Sequence, residues 1–100
     1  MPLFVIVAID RPGRLDRRKA TRGEHLQHLA NHAEHIRTAG PFTDENGVPC
    51  GSMLVVETDD LADAQAMAAN DPYLREGVFE SVTVRPWKLT VGTGIEAKSL

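Results

Sequence analysis

One hundred residues make about one domain, and 42% hydrophobic with 25% charged residues is the composition of an ordinary globular chain with a small core. A net charge of -3 argues against a general nucleic-acid binder, and the single cysteine, Cys50, excludes an internal disulfide and fits a reducing compartment. The one amino-terminal apolar run, Leu3 to Ile9, lacks a basic flank and is far too short to span a bilayer, so the expected setting is the cytoplasm, with no membrane partner.

The run LFVIVAI (3–9), rich in Val and Ile, predicts a buried strand ended by Asp10 and the Arg11-Pro12-Gly13 turn signal. Thr21 stands three residues before Glu24, the spacing of a capping box, and predicts that a helix begins there. Leu26, Leu29, Ala30, Ala33 and Ile36 then form an apolar stripe at helical period, closed by Ala39-Gly40-Pro41. Asn46-Gly47 marks the tip of a hairpin joining Pro41-Phe42 to the strand SMLVVET (52–58). Thr58-Asp59-Asp60 supplies N-cap candidates for a second helix, with Leu61, Ala64 or Ala66, Met67 and Ala68 as its apolar positions and Asn70-Asp71-Pro72 as its stop. A last strand spans Val78 to Leu89, where Pro86 favours a sheet edge.

The resulting order, strand, helix, strand, strand, helix, strand, predicts an α+β, ferredoxin-like βαββαβ domain over residues 1–89 with two helices on one face of an antiparallel sheet. Residues 90–100 form a tail that reads as weakly ordered unless a partner holds it. The first and third strands are apolar on both faces: Val5, Val7 and Ile9 alternate with Phe4, Ile6 and Ala8, and Met53 and Val55 with Leu54 and Val56. A sheet covered on one side alone should alternate with polar residues, so a homodimer built face to face through the second side is expected.

All four histidines fall at 25, 28, 32 and 35. At about 100° per residue His25 and His32 border the apolar stripe, while His28 and His35 turn toward solvent. Neighbouring pairs are close enough to bind a divalent ion adventitiously, but no His-Glu-x-x-His arrangement is present and the cysteine is remote, so no native metal site is expected. His28, His32 and His35 read as a polar flank. Six of the eleven basic residues, Arg11, Arg14, Arg17, Arg18, Lys19 and Arg22, crowd one stretch of twelve. A solvated loop is the favoured reading of that stretch, and a lid drawing in an anionic substrate the other. Cys50 reads as a small buried residue without an acid-base partner.

The stretches Arg22-Gly23-Glu24-His25-Leu26, Ala39-Gly40-Pro41, Gly51-Ser52, and Asn70-Asp71-Pro72-Tyr73 with Gly77-Val78 resemble, in their order and spacing, the YciI-like family (YCII-related domain). The resemblance runs from the first strand to Pro86-Trp87. It implies a ferredoxin-like fold, dimers of the alpha-beta barrel type, and a proposed histidine and aspartate pair that on this chain is His25 and Asp71. One branch of the family is associated with removing chloride from a chlorinated hydroxylated aromatic, a substrate that no residue of this chain specifies.

The residues support such a pair on their own chemistry. An aspartate bonded to one imidazole nitrogen fixes the tautomer and leaves the other nitrogen to take a proton from a substrate, which suffices for elimination, isomerisation or tautomerisation without a cofactor. Arg22 is the candidate to hold an anionic oxygen, and Ser52 or Tyr73 to donate a hydrogen bond to it. Asn-Asp-Pro is also a common helix stop, the structural reading of Asp71. Two functions follow: a small-molecule lyase or isomerase acting through His25 and Asp71 on an anionic or aromatic compound, or a noncatalytic dimeric ligand-binding module.

Overall fold

The computed structural model describes residues 2–94. Its elements are β1 (Leu3–Asp10), α1 (Leu15–Asn31), β2 (Ile36–Thr43), β3 (Pro49–Glu57), α2 (Leu61–Ala69), the short α3 (Pro72–Arg75) and β4 (Phe79–Trp87). The four strands form one antiparallel sheet in the order β2-β3-β1-β4, with the helices on one face. This is the ferredoxin-like arrangement, with β1 and β3 central as their doubly apolar pattern requires. Pro86 lies on β4, an edge strand, where its missing N–H interrupts no inner ladder.

The core forms where the helix-facing residues of the central strands meet α2. Phe4, Ile6, Leu54 and Val56 pack with Ala64, Met67 and Ala68. The small residues of α2 let it approach closely, and Asp60 caps it by accepting from the Asp63 N–H at 2.9 Å. A second cluster joins Ala8 to Tyr73, Val78 and Phe79, anchoring α3 at the end of β1. On the helix-free face Ile9, Met53 and Trp87 remain 43%, 38% and 39% exposed in the single chain. The β2–β3 turn falls at Asn46-Gly47: Gly47 takes φ +81°, and the Asp44 side chain accepts from the Asn46 and Val48 N–H groups at 2.8 and 3.0 Å.

Several sequence expectations are corrected. Helix α1 begins at Leu15, not at Thr21, so the capping box does not form and Thr21 is buried in mid-helix. The segment LDRRKATR (15–22) is composed largely of strong helix formers, which extend the helix back to the Pro12-Gly13 turn, where Gly13 takes φ +77°. The helix also ends early, at Asn31 with His32 as C-cap, and Ala39-Gly40-Pro41 lies inside β2. Gly40 does not take positive φ, and Pro41 is tolerated because β2 is an edge strand.

The apolar stripe assigned to α1 is not its buried face. Leu26 is 44% exposed and Ala30 and Ala33 are exposed, while Arg18, Thr21, His25 and His28 turn inward. His28 therefore does not face solvent, and the basic stretch is no loop from Leu15 onward. Cys50 is exposed, contrary to the expectation of burial. Of the tail, residues 95–100 lie outside the described residues. No helix among the described residues is long and apolar enough to cross a membrane.

Candidate functional site

Helix α1 packs against α3 and stands off from the β2–β3 half of the sheet. The gap is a cavity of about 250 Å³. Its α1 wall carries Leu15, Arg18, Lys19, Arg22, His25, Leu26 and Leu29; its floor is Ala39, Gly40, Pro41, Pro49, Ser52 and Leu54, with Tyr73 at the end. Apolar side chains dominate this lining, while the cations come from one helix. Lys19 and Arg22 are exposed, so their charges sit at the rim, where an incoming anion meets them first.

The inner end is organised around His25. Its Nδ1 lies 2.9 Å from Asp71 Oδ1, and both side chains are buried. The same carboxylate oxygen accepts the Tyr73 backbone N–H at 2.9 Å, because Asp71 is the N-cap of α3, with Pro72 in the first helical turn. Asn-Asp-Pro thus ends one helix and begins another, and the cap aims the carboxylate at the histidine. With a carboxylate as the acceptor, Nδ1 is the donor, and in the neutral ring Nε2 keeps its lone pair. Asp71 is behind the ring, not on the cavity lining.

Tyr73 stacks on His25 with centroids 4.0 Å apart and planes inclined by 16°. Its other neighbours are Phe79, edge-on at 5.6 Å, and the Arg18 guanidinium carbon, 4.5 Å from the ring centroid. Burial raises the phenol pKa above its ordinary value; Arg18 and Arg22 oppose that shift, and Asp71 and Asp10 add to it. No hydrogen-bond partner for the Tyr73 hydroxyl occurs among the described residues.

Arg18 closes the end of the site. One terminal nitrogen donates to both Asp10 carboxylate oxygens at 2.8 and 3.0 Å, and the other to the Gly51 carbonyl and Ser52 Oγ at 3.0 and 2.9 Å. Burial raises the Asp10 pKa, outweighing the lowering by Arg18. Gly51 must be glycine: a Cβ there would stand 2.5 Å from the Ala8 carbonyl oxygen and 3.0 Å from a Phe42 ring carbon. The close approach of β1 and β3 sets the carbonyl that Arg18 reads.

The sequence-derived candidates His25, Arg22, Ser52 and Tyr73 all line one cavity, and Asp71 orients the first of them. Arg18, Asp10 and Lys19 were missed. The signal was present in the seven-residue spacing of Arg18 and His25, two helical turns on one face, but it is legible only once the helix begins at Leu15. The remaining histidines divide. His28, one turn beyond His25, is buried and meets His32 edge-on at 4.7 Å, whereas His35 lies beyond the helix and its Nδ1 is 3.1 Å from the Glu57 carbonyl. Burial lowers the His28 pKa, with Asp71 opposing and His32 and His25 reinforcing. Among the described residues no group of three or more His, Cys, Asp or Glu is placed to hold a metal ion.

The family model of the YCII-related domain matches residues 2–88. The chain belongs to this family. Among its relatives are Protein YciI of Escherichia coli, 39% identical over 94 residues that cover 86% of this chain and 96% of that protein, and an uncharacterized Haemophilus influenzae protein, 39% identical over 93 residues covering 85% and 95%. Among solved structures it is similar to 5-chloro-2-hydroxyhydroquinone dehydrochlorinase (TftG) of Burkholderia phenoliruptrix, in complex with 2,5-dihydroxybenzoquinone. That similarity has a TM-score of 0.79 at 30% identity, covering 86% of this chain and 93% of that one. An antibiotic biosynthesis monooxygenase, at TM-score 0.54 and 14% identity over 91% of this chain and all of that one, shares the fold alone. The family and fold both fit a small-molecule enzyme in general.

Proposed function

We propose that this protein is a cofactor-independent enzyme of the lyase or isomerase kind, acting by proton transfer on a small, largely apolar ring compound that carries an anionic oxygen. The observation that carries the proposal is the pairing of His25 with Asp71 at 2.9 Å on the wall of an apolar cavity with cations at its rim. The distance is that of a hydrogen bond through which a carboxylate orients an imidazole. In this reading Asp71 fixes the tautomer by accepting from Nδ1–H, and Nε2 takes a proton from the substrate and returns it at another atom or loses it with a leaving group. Arg22, joined by Lys19, holds the anionic oxygen, and Ser52 and Tyr73 donate to developing negative charge. The apolar floor excludes water and strengthens each of these interactions. The dehydrochlorinase named above supports acid-base elimination as the reaction type to try first.

We further propose a homodimer joined through the helix-free face of the sheet, where Ile9, Met53 and Trp87 would leave water.

The test has two stages. Isothermal titration with 2,5-dihydroxybenzoquinone establishes whether the cavity takes an anionic ring, and a panel of chlorinated and unchlorinated hydroxyaromatics, with product followed by chromatography, establishes turnover. His25→Ala and Asp71→Asn should abolish turnover and leave the dimer folded. Binding by the wild type with no product from any member of the panel favours the noncatalytic ligand-binding module instead. No binding of the quinone and no turnover would remove both readings of the cavity.

A further inference from the structure

Arg18 lies on the cavity wall and is 6% exposed, with four of its five N–H donors committed to protein acceptors. Both terminal nitrogens are already engaged, one by Asp10 and the other by the Gly51 carbonyl and Ser52 Oγ, and the guanidinium covers one face of Tyr73. What Arg18 does is visible in the direction of one of these bonds. A guanidinium nitrogen can only donate, so in the 2.9 Å contact Ser52 Oγ is the acceptor. The hydroxyl still has its own hydrogen to give. No acceptor for that hydrogen occurs among the described residues, and Ser52 lines the cavity. A hydroxyl that accepts from a cation is also polarised into a stronger donor.

We infer that Arg18 is a positioning residue which orients Ser52 so that its hydroxyl hydrogen is presented to the cavity, where it favours a carbonyl or an oxyanion, the stronger acceptors, over a hydroxyl. The inference rests on the proposed function, because it assigns ligand chemistry to the same cavity. The histidine supplies the complementary half. With Nδ1–H committed to Asp71, the neutral ring has Nε2 as its acceptor. One donor on the floor and one acceptor on the α1 wall of the same cavity match a ligand in which a carbonyl oxygen accompanies an acidic O–H or C–H, the arrangement of a tautomerisable group.

Asp10 has a defined part in this. It neutralises Arg18 and pins the guanidinium plane, so that the second terminal nitrogen is delivered to Ser52 and not to the ligand. Lysine at this position would keep a charge for Asp10 but, as a single ammonium, would not span Asp10, Gly51 and Ser52 together.

The experiment is a double-mutant cycle on Arg18→Lys and Ser52→Ala, read by isothermal titration with 2,5-dihydroxybenzoquinone. Each single variant should weaken binding about tenfold, the loss of one strong hydrogen bond to a polar acceptor. In the Ser52→Ala background Arg18→Lys should then weaken binding less than twofold, because the bond through which Arg18 acts is gone. Losses that multiply would mean that Arg18 acts independently of Ser52, and would overturn the inference while leaving the proposed function intact. Absence of wild-type binding would overturn the inference, and only if turnover were also absent across the panel would it remove the proposed function as well.

A neutron structure of the deuterated wild type covers the case in which Arg18→Lys does not fold. The Ser52 deuteron directed into the cavity supports the inference, and a deuteron directed at any protein acceptor overturns it whatever the fate of the enzyme reading.

Discussion

Replacing Asp71 separates its structural from its electrostatic work, because alanine and asparagine remove different things. In Asp71→Ala the Tyr73 N–H loses its cap, a change of about 0.5–2 kcal/mol. The His25 Nδ1–H also loses its acceptor in a buried position, at a further ~1–3 kcal/mol for an unsatisfied donor. Together the two terms predict a loss of roughly 1.5–5 kcal/mol, with His25 itself kept in place by its stack on Tyr73. Asparagine retains an oxygen at the same distance from the backbone and is as good an N-cap as aspartate, so Asp71→Asn should lose no more than about 1 kcal/mol. In a domain of this size each kcal/mol moves Tm by about 4–8 °C, so a mid-range difference of about 2 kcal/mol should make the alanine variant melt roughly 8–16 °C below the asparagine variant. Urea denaturation at one fixed protein concentration is the assay, since association would otherwise add to the apparent stability. Equal stabilities of the two variants, within about 0.5 kcal/mol, would refute the claim that the Oδ1 bonds to Tyr73 and His25 hold the site together.

Three other outcomes are expected. Gly51→Ala should destabilise by about 1–3 kcal/mol in chemical denaturation, because its Cβ meets the Ala8 carbonyl oxygen, which is backbone and cannot rotate aside; a loss too small to measure would show that β1 and β3 separate freely. The neutral form of His28 is favoured in the fold, so on acidification the unfolded chain takes the proton first and stability falls as pH drops below the ordinary histidine value. His28→Gln should flatten that part of the stability-pH curve, and an unchanged slope would remove His28 as its source. Met53→Glu should convert a dimer to a monomer in size exclusion with light scattering, since it places a charge on the helix-free face; a dimer of unaltered mass would put the interface elsewhere.

The central strands were legible in the sequence alone, because β1 over Leu3–Ile9 and β3 over Met53–Val56 are apolar on both faces and so belong in the middle of the sheet. The order of elements, the Asn46-Gly47 turn, an N-cap among Thr58-Asp59-Asp60 and the edge position of β4 were legible from local chemistry, whereas the equally local Thr21 capping box and Gly40-Pro41 stop were overridden by the fold. His25 and Asp71 were identified through the family resemblance and the known partnership of imidazole with carboxylate. Their meeting at 2.9 Å is a fact of the tertiary structure, made by a four-residue helix too short to leave a periodic signal.

What the sequence could not decide was which face of α1 is buried. Its apolar residues suggested one stripe, yet the fold turns Arg18, Thr21, His25 and His28 inward. An inward polar face is stable only where partners from other elements satisfy it, here Asp10 of β1, Gly51 and Ser52 of β3, and Asp71 at the α2–α3 junction. Those partners are distant in the chain, so periodicity within one helix cannot report them. The same exchange leaves Leu26 exposed on the cavity wall, where it is available to a ligand, while Leu29 both lines the cavity and packs against the core. Local chemistry thus set the strands, turns and caps, and long-range polar pairing set the site, because a buried hydrogen bond is specified by both of its ends and a sequence window contains only one.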